Sequence, residues 1–243
     1  MKARFFAPDA ETDATTVALP DEEAEHLVRV LRLRAGDAVR VFNGRGEEFL
    51  ATVVTARKKG AIVELGERVA AAPEARLAIT LTMAVLKGDG MDAVIRDAVM
   101  LGVAAIRPLI SERTEISAGA LARGRRKARW QRLVISSAKQ CGRAVVPIVA
   151  APVTVAEALA HPLESPQVVL VEPSAASATG TLQELPATRA LELFVGPEGG
   201  WTLDELQQAA ASGAMLMTLG TLTLRADAAP IVAISALRAV REW

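Results

Sequence analysis

Phe194-Val-Gly-Pro-Glu-Gly-Gly-Trp201 is the most informative stretch of this chain of 243 residues. The apolar run that ends at Val195 predicts a buried strand, and it stops abruptly at Gly196-Pro-Glu-Gly-Gly200. Glycine permits backbone conformations and close approaches that a Cβ would block, and Thr202 can cap a helix that starts at Leu203. Such a turn between a strand and a helix can bind a ligand through its backbone. A tight structural turn explains the same spacing equally well.

Strand and helix patterns alternate after residue 75. The predicted strands are Leu77–Val85, Val103–Leu109, Val146–Val149, Gln167–Val171, Leu191–Val195 and Met215–Leu219. The predicted helices are Met91–Leu101, Arg125–Cys141, Val155–Ala160, Leu203–Ser212 and Ala229–Glu242. This alternation indicates a mostly parallel sheet covered by helices, with ligands at the carboxyl ends of strands. Three segments occupy such ends: the glycine-rich turn, the pair Leu219-Gly220 and the pair Glu172-Pro173. We therefore expect these three segments to converge on one crevice.

The first 70 residues predict a small β domain. Strand-like segments at Ala38–Phe42, Glu48–Thr55 and Ala61–Leu65 are separated by Asn-Gly and Lys-Gly pairs, which favour hairpins. A helix is predicted from Asp21, with Leu27, Val30 and Leu31 as its core stripe and His26 as a surface or packing residue. A linker is expected at residues 70–75.

Charge is segregated along a chain whose net charge is zero. Residues 76–146 carry 13 Lys/Arg against 5 Asp/Glu, and residues 147–243 carry 4 against 10. The basic residues are densest at 123–129, beside a predicted helix whose apolar face includes Trp130, Val134 and Cys141. The asymmetry favours a surface that faces a polyanion, although a solvated basic face is the plain alternative.

Composition argues against several classes of protein. No stretch of 18 residues is both uncharged and continuously apolar, and the N-terminus lacks the apolar core of a signal peptide. A single cysteine, Cys141, suits a reducing compartment, and two histidines argue against a zinc site. Neither G-x-G-x-x-G nor a P-loop ending is present, which disfavours a nicotinamide dehydrogenase. We therefore expect a cytoplasmic protein without a membrane segment or a metal.

Short motifs in a fixed order run along nearly the whole chain. They are Gly196-Pro-Glu-Gly-Gly200, Leu219-Gly220 and Leu224-Arg225; His26–Arg34, Gly36-Asp37 and Val41–Gly44; Lys87-Gly88, Met91-Asp92, Leu101–Val103, Pro108-Leu109 and Ser111–Arg113; and Gln140–Arg143 with Pro147. Together they resemble the SPOUT superfamily of knotted RNA methyltransferases, and more narrowly the bacterial 16S rRNA uridine-N3 methyltransferases. The resemblance implies an α/β protein with a PUA-like, RNA-binding β-barrel domain at residues 1–72. It also implies a SPOUT domain with a deep trefoil knot at residues 73–243. The knot is implied by the resemblance alone, because threaded chains are very rare.

The resemblance further implies a homodimer that methylates N3 of a uridine in 16S rRNA of the small ribosomal subunit, with S-adenosylmethionine as cofactor. The apolar face of the last helix, Ile231, Ile234, Leu237 and Val240, either contributes to the dimer or packs within its own subunit. The implied cofactor-binding residues are Val171, Glu172, Gly196, Pro197, Glu198, Gly199, Gly200, Leu219, Gly220, Leu222, Leu224 and Arg225. The implied RNA-binding residues are Arg29, Arg32, Arg34, Lys87, Arg113, Arg125, Arg126, Arg129 and Arg143.

Three residues are candidates for catalysis. Arg225 can stabilise negative charge on a uracil oxygen, and Glu198 or Asp227 can accept the N3 proton. Alternatively, Arg225 and Asp227 only pair with each other at the start of the last helix. The family segment commonly reads Leu-Gly-x-Arg-Ile-Leu-Arg-x-Glu-Thr-Ala, whereas this chain has Leu222, Asp227 and Ala228 in place of the first arginine, the glutamate and the threonine.

Two other functions are open at this level. A knotted methyltransferase that modifies a different RNA would keep the same cofactor loops. A non-catalytic RNA-binding or assembly protein would show the basic residues but would not bind the cofactor.

Overall fold

The structure, a computed structural model, describes residues 2–116, 119, 121, 125–160, 165–175, 178 and 180–241. It has two compact units: Met1–Glu74 with Ile135–Val146, and Ala75–Val134 with Pro147–Trp243. Residues 135–146 thus belong with the first unit although they lie far along the chain. The predicted domains, 1–72 and 73–243, do not account for that segment, and their boundaries stay a prediction.

The first unit is built on a five-stranded sheet. Its strands are β1 (Arg4–Phe6), β2 (Thr16–Ala18), β3 (Ala38–Phe42), β4 (Glu48–Thr55) and β5 (Ile62–Val69), in the order β1-β3-β4-β5-β2. β1 and β3 are parallel, and the other pairs are antiparallel. β3 and β4 have the predicted bounds. β1 and β2 were not predicted, because three residues are too few to show a period of two.

The predicted core stripe of the N-terminal helix is wrong at two of its three positions. α1 (Asp21–Glu25) continues into a π-helix over His26–Val30, in which the Leu31 N–H donates to the His26 carbonyl at 3.1 Å. Leu27 is fully buried, but Val30 and Leu31 are 64% and 39% exposed. A π-turn takes more residues per turn than an α-helix, so residues after Leu27 rotate off the face that the 3.6-residue period predicts.

His26 is a packing residue, as predicted. Its ring lies edge-on to that of Phe5, with 6.3 Å between the centroids. Burial, and secondarily the positive charge of Lys139, lower the pKa of His26 below its usual value. The neutral imidazole is therefore the form that the fold favours.

Ion pairs and carbonyl contacts bind residues 135–146 within the first unit. The Arg4 guanidinium donates to the carbonyls of Ala138 and Lys139 at 3.2 and 2.9 Å. Lys139 pairs with Glu23 at 2.7 Å. Arg143 is buried, and its guanidinium pairs with the Glu74 carboxylate at 2.5 Å.

The second unit contains a parallel sheet, as the alternating pattern predicted. Its strands are β6 (Ala78–Ala84), β7 (Ala105–Ile110), β8 (Ile148–Val149), β9 (Val153–Thr154), β10 (Gln167–Leu170), β11 (Gly180–Thr181), β12 (Ala190–Val195) and β13 (Met215–Thr218). Their order is β11-β13-β10-β12-β6-β7-β8, and β9 also pairs with β7. All of these pairs are parallel.

Among the described residues, the α-helices that follow the linker lie within one residue of their predicted bounds. They are α2 (Gly90–Met100), α3 (Arg126–Cys141), α4 (Val155–Leu159), α5 (Leu203–Ala211) and α6 (Ala229–Arg241); Glu242 lies outside the described residues. Ile234 and Leu237 on α6 are buried, and Val240 is 58% exposed. Among the described helices, none combines the length and the apolar character needed to cross a bilayer.

Candidate active site

A cavity of about 990 Å³ lies at the carboxyl ends of four neighbouring strands, β13, β10, β12 and β6. The three strand ends that the sequence singled out therefore do converge, as predicted. Every residue predicted to bind the cofactor lines this cavity except Gly220, which has a φ of +137°. The end of β6 is the part that the sequence analysis missed, although Leu86, Lys87, Asp89 and Gly90 there also line the cavity. That contribution could have been found, because β6 was predicted and ligands gather at such ends.

The glycine-rich turn, residues 196–200, needs glycine at two positions for different reasons. Gly200 has a φ of +69°, which residues with a Cβ rarely adopt. Gly199 has no such φ, but a Cβ built there would lie 3.2 Å from Cβ and 3.3 Å from Cδ of Arg113. The turn and the Arg113 side chain are therefore in close contact.

Three hydrogen bonds connect the turn and its flank to loops after other strands. Arg113 Nη1 donates to the Gly199 carbonyl at 2.6 Å, and the Lys87 N–H donates to Glu198 Oε1 at 3.1 Å. Nε1 of Trp201 donates to the Leu170 carbonyl at 2.8 Å. These hydrogen bonds hold the turn against the carboxyl ends of β7, β6 and β10. One of them occupies an oxygen of Glu198, which is a candidate proton acceptor.

Thr202 caps α5, as predicted. Its hydroxyl accepts the Glu205 N–H, and the Glu205 carboxylate accepts the Thr202 N–H at 2.9 Å, which is a capping box. The same carboxylate accepts the Glu112 N–H at 2.9 Å. Side chains therefore already satisfy the amides at the start of α5, and the turn before the helix, residues 196–200, lines the cavity.

Arg225 and Asp227 form a two-pronged ion pair at the cavity. Nε and Nη2 of Arg225 each lie 3.2 Å from an oxygen of Asp227. The Arg225 side chain is 85% exposed, so solvent screens the pair and little free energy opposes its opening. The structural pairing considered as an alternative does exist, but it leaves the guanidinium accessible. Leu222, which stands where the resembling family has arginine, is 77% exposed.

Lys87 carries its positive charge at the cavity. Nζ lies 2.5 Å from Oε1 of Glu115, and this hydrogen bond raises the pKa of Lys87 above its usual value. The side chain is 57% exposed. Lys87, one of the implied RNA-binding residues, is therefore an accessible cation at the carboxyl end of β6.

The basic segment, residues 125–129, is exposed throughout; Arg123 lies outside the described residues. Arg129 pairs with Asp89 at 3.2 Å and with Asp92. Asp92 also accepts the indole N–H of Trp130 at 3.1 Å. Since Asp89 lines the cavity, Arg129 connects the basic segment to the cavity rim.

The other candidates for RNA contact differ in their surroundings. Arg143 does not face solvent, because it is buried and paired with Glu74, so the structure does not support that assignment. Arg113 is bound to the glycine-rich turn, and Arg29 pairs with Glu25. Arg32 and Arg34 are exposed. Within the described part of the chain, no group of three or more His, Cys, Asp or Glu side chains is arranged to hold a metal ion.

Comparisons with known proteins agree over both units. Residues 73–238 match the family model of an RNA methyltransferase domain, and residues 19–66 match that of an RNA methyltransferase PUA domain. The ribosomal RNA small subunit methyltransferase E of a Synechocystis species is 34% identical, over 97% of this chain and 77% of the relative. The crystal structure of a methyltransferase E from Neisseria gonorrhoeae, bound to S-adenosylmethionine, is 36% identical with a TM-score of 0.88, over 99% and 98% of the two chains. A structure from Legionella pneumophila with bound S-adenosylmethionine is 29% identical with a TM-score of 0.90, over 99% and 98%.

Proposed function

Because this chain belongs to the RNA methyltransferase family and carries that family's PUA domain, we propose that it methylates N3 of a specific uridine in 16S rRNA, with S-adenosylmethionine as methyl donor. The observation that carries the proposal is the cavity at four adjacent strand ends, lined by the glycine-rich turn. Two similar structures that span nearly the whole chain have S-adenosylmethionine bound.

The residues at the cavity fit this cofactor. A volume of about 990 Å³ is at the upper end of the range for small-molecule sites, about 300–1,000 Å³. Leu219, Leu222 and Leu224 give an apolar wall that suits an adenine ring. The Glu172 carboxylate can accept hydrogen bonds from the hydroxyl groups of a ribose. The backbone of the glycine-rich turn would complete the binding site. The bound cofactor supplies a methyl group that its sulfonium already activates.

The protein must then bring the uridine into place and accept its proton. N3 lies on the pairing edge of the base, so the uridine has to be unpaired before it reacts. In our proposal Arg225 stabilises negative charge on a uracil oxygen. Asp227 is favoured over Glu198 as proton acceptor, because Glu198 accepts the backbone N–H of Lys87 and so helps to hold the turn, whereas the partner of Asp227 is the exposed side chain of Arg225. Opening of the exposed Arg225–Asp227 pair would free both groups together.

The proposal includes the architecture that the resemblance implies. We propose that the second unit carries a deep trefoil knot of the SPOUT type and that the chain acts as a cytoplasmic homodimer. The exposed Val232 and Val240 on α6 support a contact through that helix.

Methyl transfer by the purified protein tests the proposed function. The protein is incubated with methyl-labelled S-adenosylmethionine and with 16S rRNA, 23S rRNA or intact small subunits from a strain that lacks it. We expect label in 16S rRNA, alone or within the subunit. Label in 23S rRNA only would keep the methyltransferase and reject the substrate. If calorimetry detects no cofactor binding, a non-catalytic RNA-binding protein is the better account.

A further inference from the structure

Trp201 directly follows the glycine-rich turn and folds back onto the first residue of that turn, Gly196. A Cβ built on Gly196 would lie 3.0 Å from Cε2 and 3.2 Å from Nε1 of the indole ring, and its three nearest atoms all belong to that ring. Ordinary contacts between carbon atoms are about 3.5–4.0 Å long. The φ of Gly196 lies outside the left-handed region, so other residues could adopt its backbone conformation. The Trp201 ring is therefore what leaves no space for a side chain at position 196.

The same indole ring lies where two strands of the sheet separate. β10 and β12 pair in parallel as far as Val169 and Phe194. The next carbonyl of β10, that of Leu170, accepts the Nε1–H of Trp201 at 2.8 Å. A side chain thus supplies the donor at the point where the pairing with β12 has ended. Because a partly buried carbonyl without a partner is costly, this hydrogen bond fixes the ring between the two strand ends.

Trp201 also forms part of the cavity wall. Its half-buried side chain packs against the apolar cluster that contains Phe194 and Leu216, and the residue lines the cavity. Gly196 and Leu170, the two residues that the ring contacts, line the cavity as well. A change in the position of the ring therefore changes the shape of the turn and of the cavity wall together.

The other hydrogen bonds of the turn act at different positions. The Lys87 N–H donates to the side chain of Glu198, and the Arg113 guanidinium donates to the carbonyl of Gly199. Both hold the middle of the turn, whereas Trp201 joins the residue after the turn to its beginning. The separation of the two ends of the turn, and with it the curvature of the backbone between them, depends on Trp201.

We propose that Trp201 is a positioning residue for the cofactor: its ring and its N–H fix the glycine-rich turn in the shape that binds S-adenosylmethionine. Residue 196 is glycine because the Trp201 ring occupies the adjacent space, and not because the ligand does. The inference rests on the proposed function only in taking S-adenosylmethionine as the ligand of the cavity. It does not depend on which RNA is the substrate.

The first test removes the indole N–H and keeps an aromatic ring. In the full-length protein, Trp201→Phe should weaken binding of S-adenosylmethionine by about three- to tenfold, as expected for the loss of one hydrogen bond. Trp130→Phe is the matched control, because the Nε1–H of Trp130 donates to Asp92 at 3.1 Å and neither of these residues lines the cavity. The control should melt at a lower temperature than the wild type and bind the cofactor with unchanged affinity. Calorimetry and thermal melting measure the two quantities.

The second test separates the space that the ring occupies from the space that the ligand occupies. In the wild-type background, Gly196→Ala should weaken cofactor binding by about tenfold or more, because the added Cβ displaces the ring. In a Trp201→Leu background the same change should cost much less, since no indole ring opposes the Cβ. If the two positions acted independently, the two factors would agree within about twofold. Equal factors would therefore contradict the pairing of Gly196 with Trp201.

Methyl-transfer kinetics distinguish positioning of the cofactor from a loss of folded protein. Trp201→Phe should raise KM for S-adenosylmethionine and leave kcat nearly unchanged, because it removes binding that the ground state and the transition state share. A loss of folded protein would instead lower the apparent kcat at an unchanged KM, and that result would count against positioning.

Wild-type cofactor affinity in both Trp201→Phe and Trp201→Leu would overturn the inference and leave the proposed function intact. The binding tests contain no RNA, so a wild-type protein that binds S-adenosylmethionine but methylates no RNA would refute the proposed function alone. A wild-type protein that does not bind S-adenosylmethionine would overturn both.

Discussion

Gly199 is the residue at which the glycine-rich turn is most sensitive to substitution. A Cβ there would lie 3.2 Å from Cβ of Arg113, so the branched side chain of Gly199→Val must displace Arg113 and break its 2.6 Å bond to the Gly199 carbonyl. We expect affinity for S-adenosylmethionine to fall by about tenfold or more, which corresponds to at least about 1.4 kcal/mol. Calorimetry measures this directly. Unchanged affinity in a Gly199→Val protein with a normal melting temperature would show that the turn does not form the cofactor site.

Arg225 tests whether the ion pair at the cavity is catalytic or only structural. Removal of one donor that stabilises developing negative charge typically lowers kcat by about 10²–10³, and we expect a loss of about that size for Arg225→Gln. Asp227→Asn should lower kcat as well, whereas melting temperatures should change little because the pair is exposed. Single-turnover kinetics measures the chemical step. Wild-type rates in both variants would mean that the two residues only pair with each other.

The basic segment of α3 carries a prediction at the scale of an element. Arg125→Gln/Arg126→Gln should weaken RNA binding and reduce its salt dependence while affinity for S-adenosylmethionine stays nearly intact. Arg129→Gln differs, because it also removes the ion-pair partner of Asp89 and of the buried Asp92. We therefore expect Arg129→Gln to lower stability in addition. Filter binding and thermal melting of the two variants measure these effects.

Two outcomes would contradict this account of the basic segment. Equal loss of both ligands in Arg125→Gln/Arg126→Gln would indicate misfolding or a wrong assignment of the units. Unchanged RNA affinity would make the segment a solvated surface and would shift the main RNA contact to the first unit.

Regular elements were predictable where their period was unbroken. β3 and β4, and the α-helices from α2 to α6, match within a residue because hydrophobic spacing reports directly on strands and helices. The 3₁₀-helix at Leu182–Glu184 was not predicted, because three residues are too few to show a helical period. The prediction that Val30 and Leu31 are buried was wrong, because a π-turn changes the helical period there. No residue type in this stretch indicates a π-turn from the sequence. The contact between Gly199 and Arg113 was also beyond reach, since 86 residues separate them and only the sheet order brings them together.

Assembly into a homodimer is the prediction at the scale of the whole molecule. Ile234 and Leu237 are buried within their own subunit, whereas the large apolar residues Val232 and Val240 of α6 are exposed. Light scattering at micromolar concentration should give about twice the 25.6 kDa of one chain. Val232→Glu/Val240→Glu should shift the protein toward monomer, because a charge in an apolar contact is costly. A wild-type monomer would argue against the dimer.

The arrangement of the chain into units was the least predictable property. Residues 135–146 belong with the first unit through Arg4 and through the pairs Lys139–Glu23 and Arg143–Glu74. Periodicity describes neighbours along the chain and cannot report such distant partners. For the same reason the trefoil knot rests on the family resemblance and stays a proposal.

Modification mapping tests the central claim most directly. Ribosomal RNA from a strain that lacks this protein is compared by mass spectrometry with that from the same strain carrying the wild-type chain or Arg225→Gln. We predict that one N3-methyluridine in 16S rRNA is absent without the protein, returns with the wild type and is strongly reduced with Arg225→Gln. Identical uridine methylation in the deletion strain and the complemented strain would contradict the account.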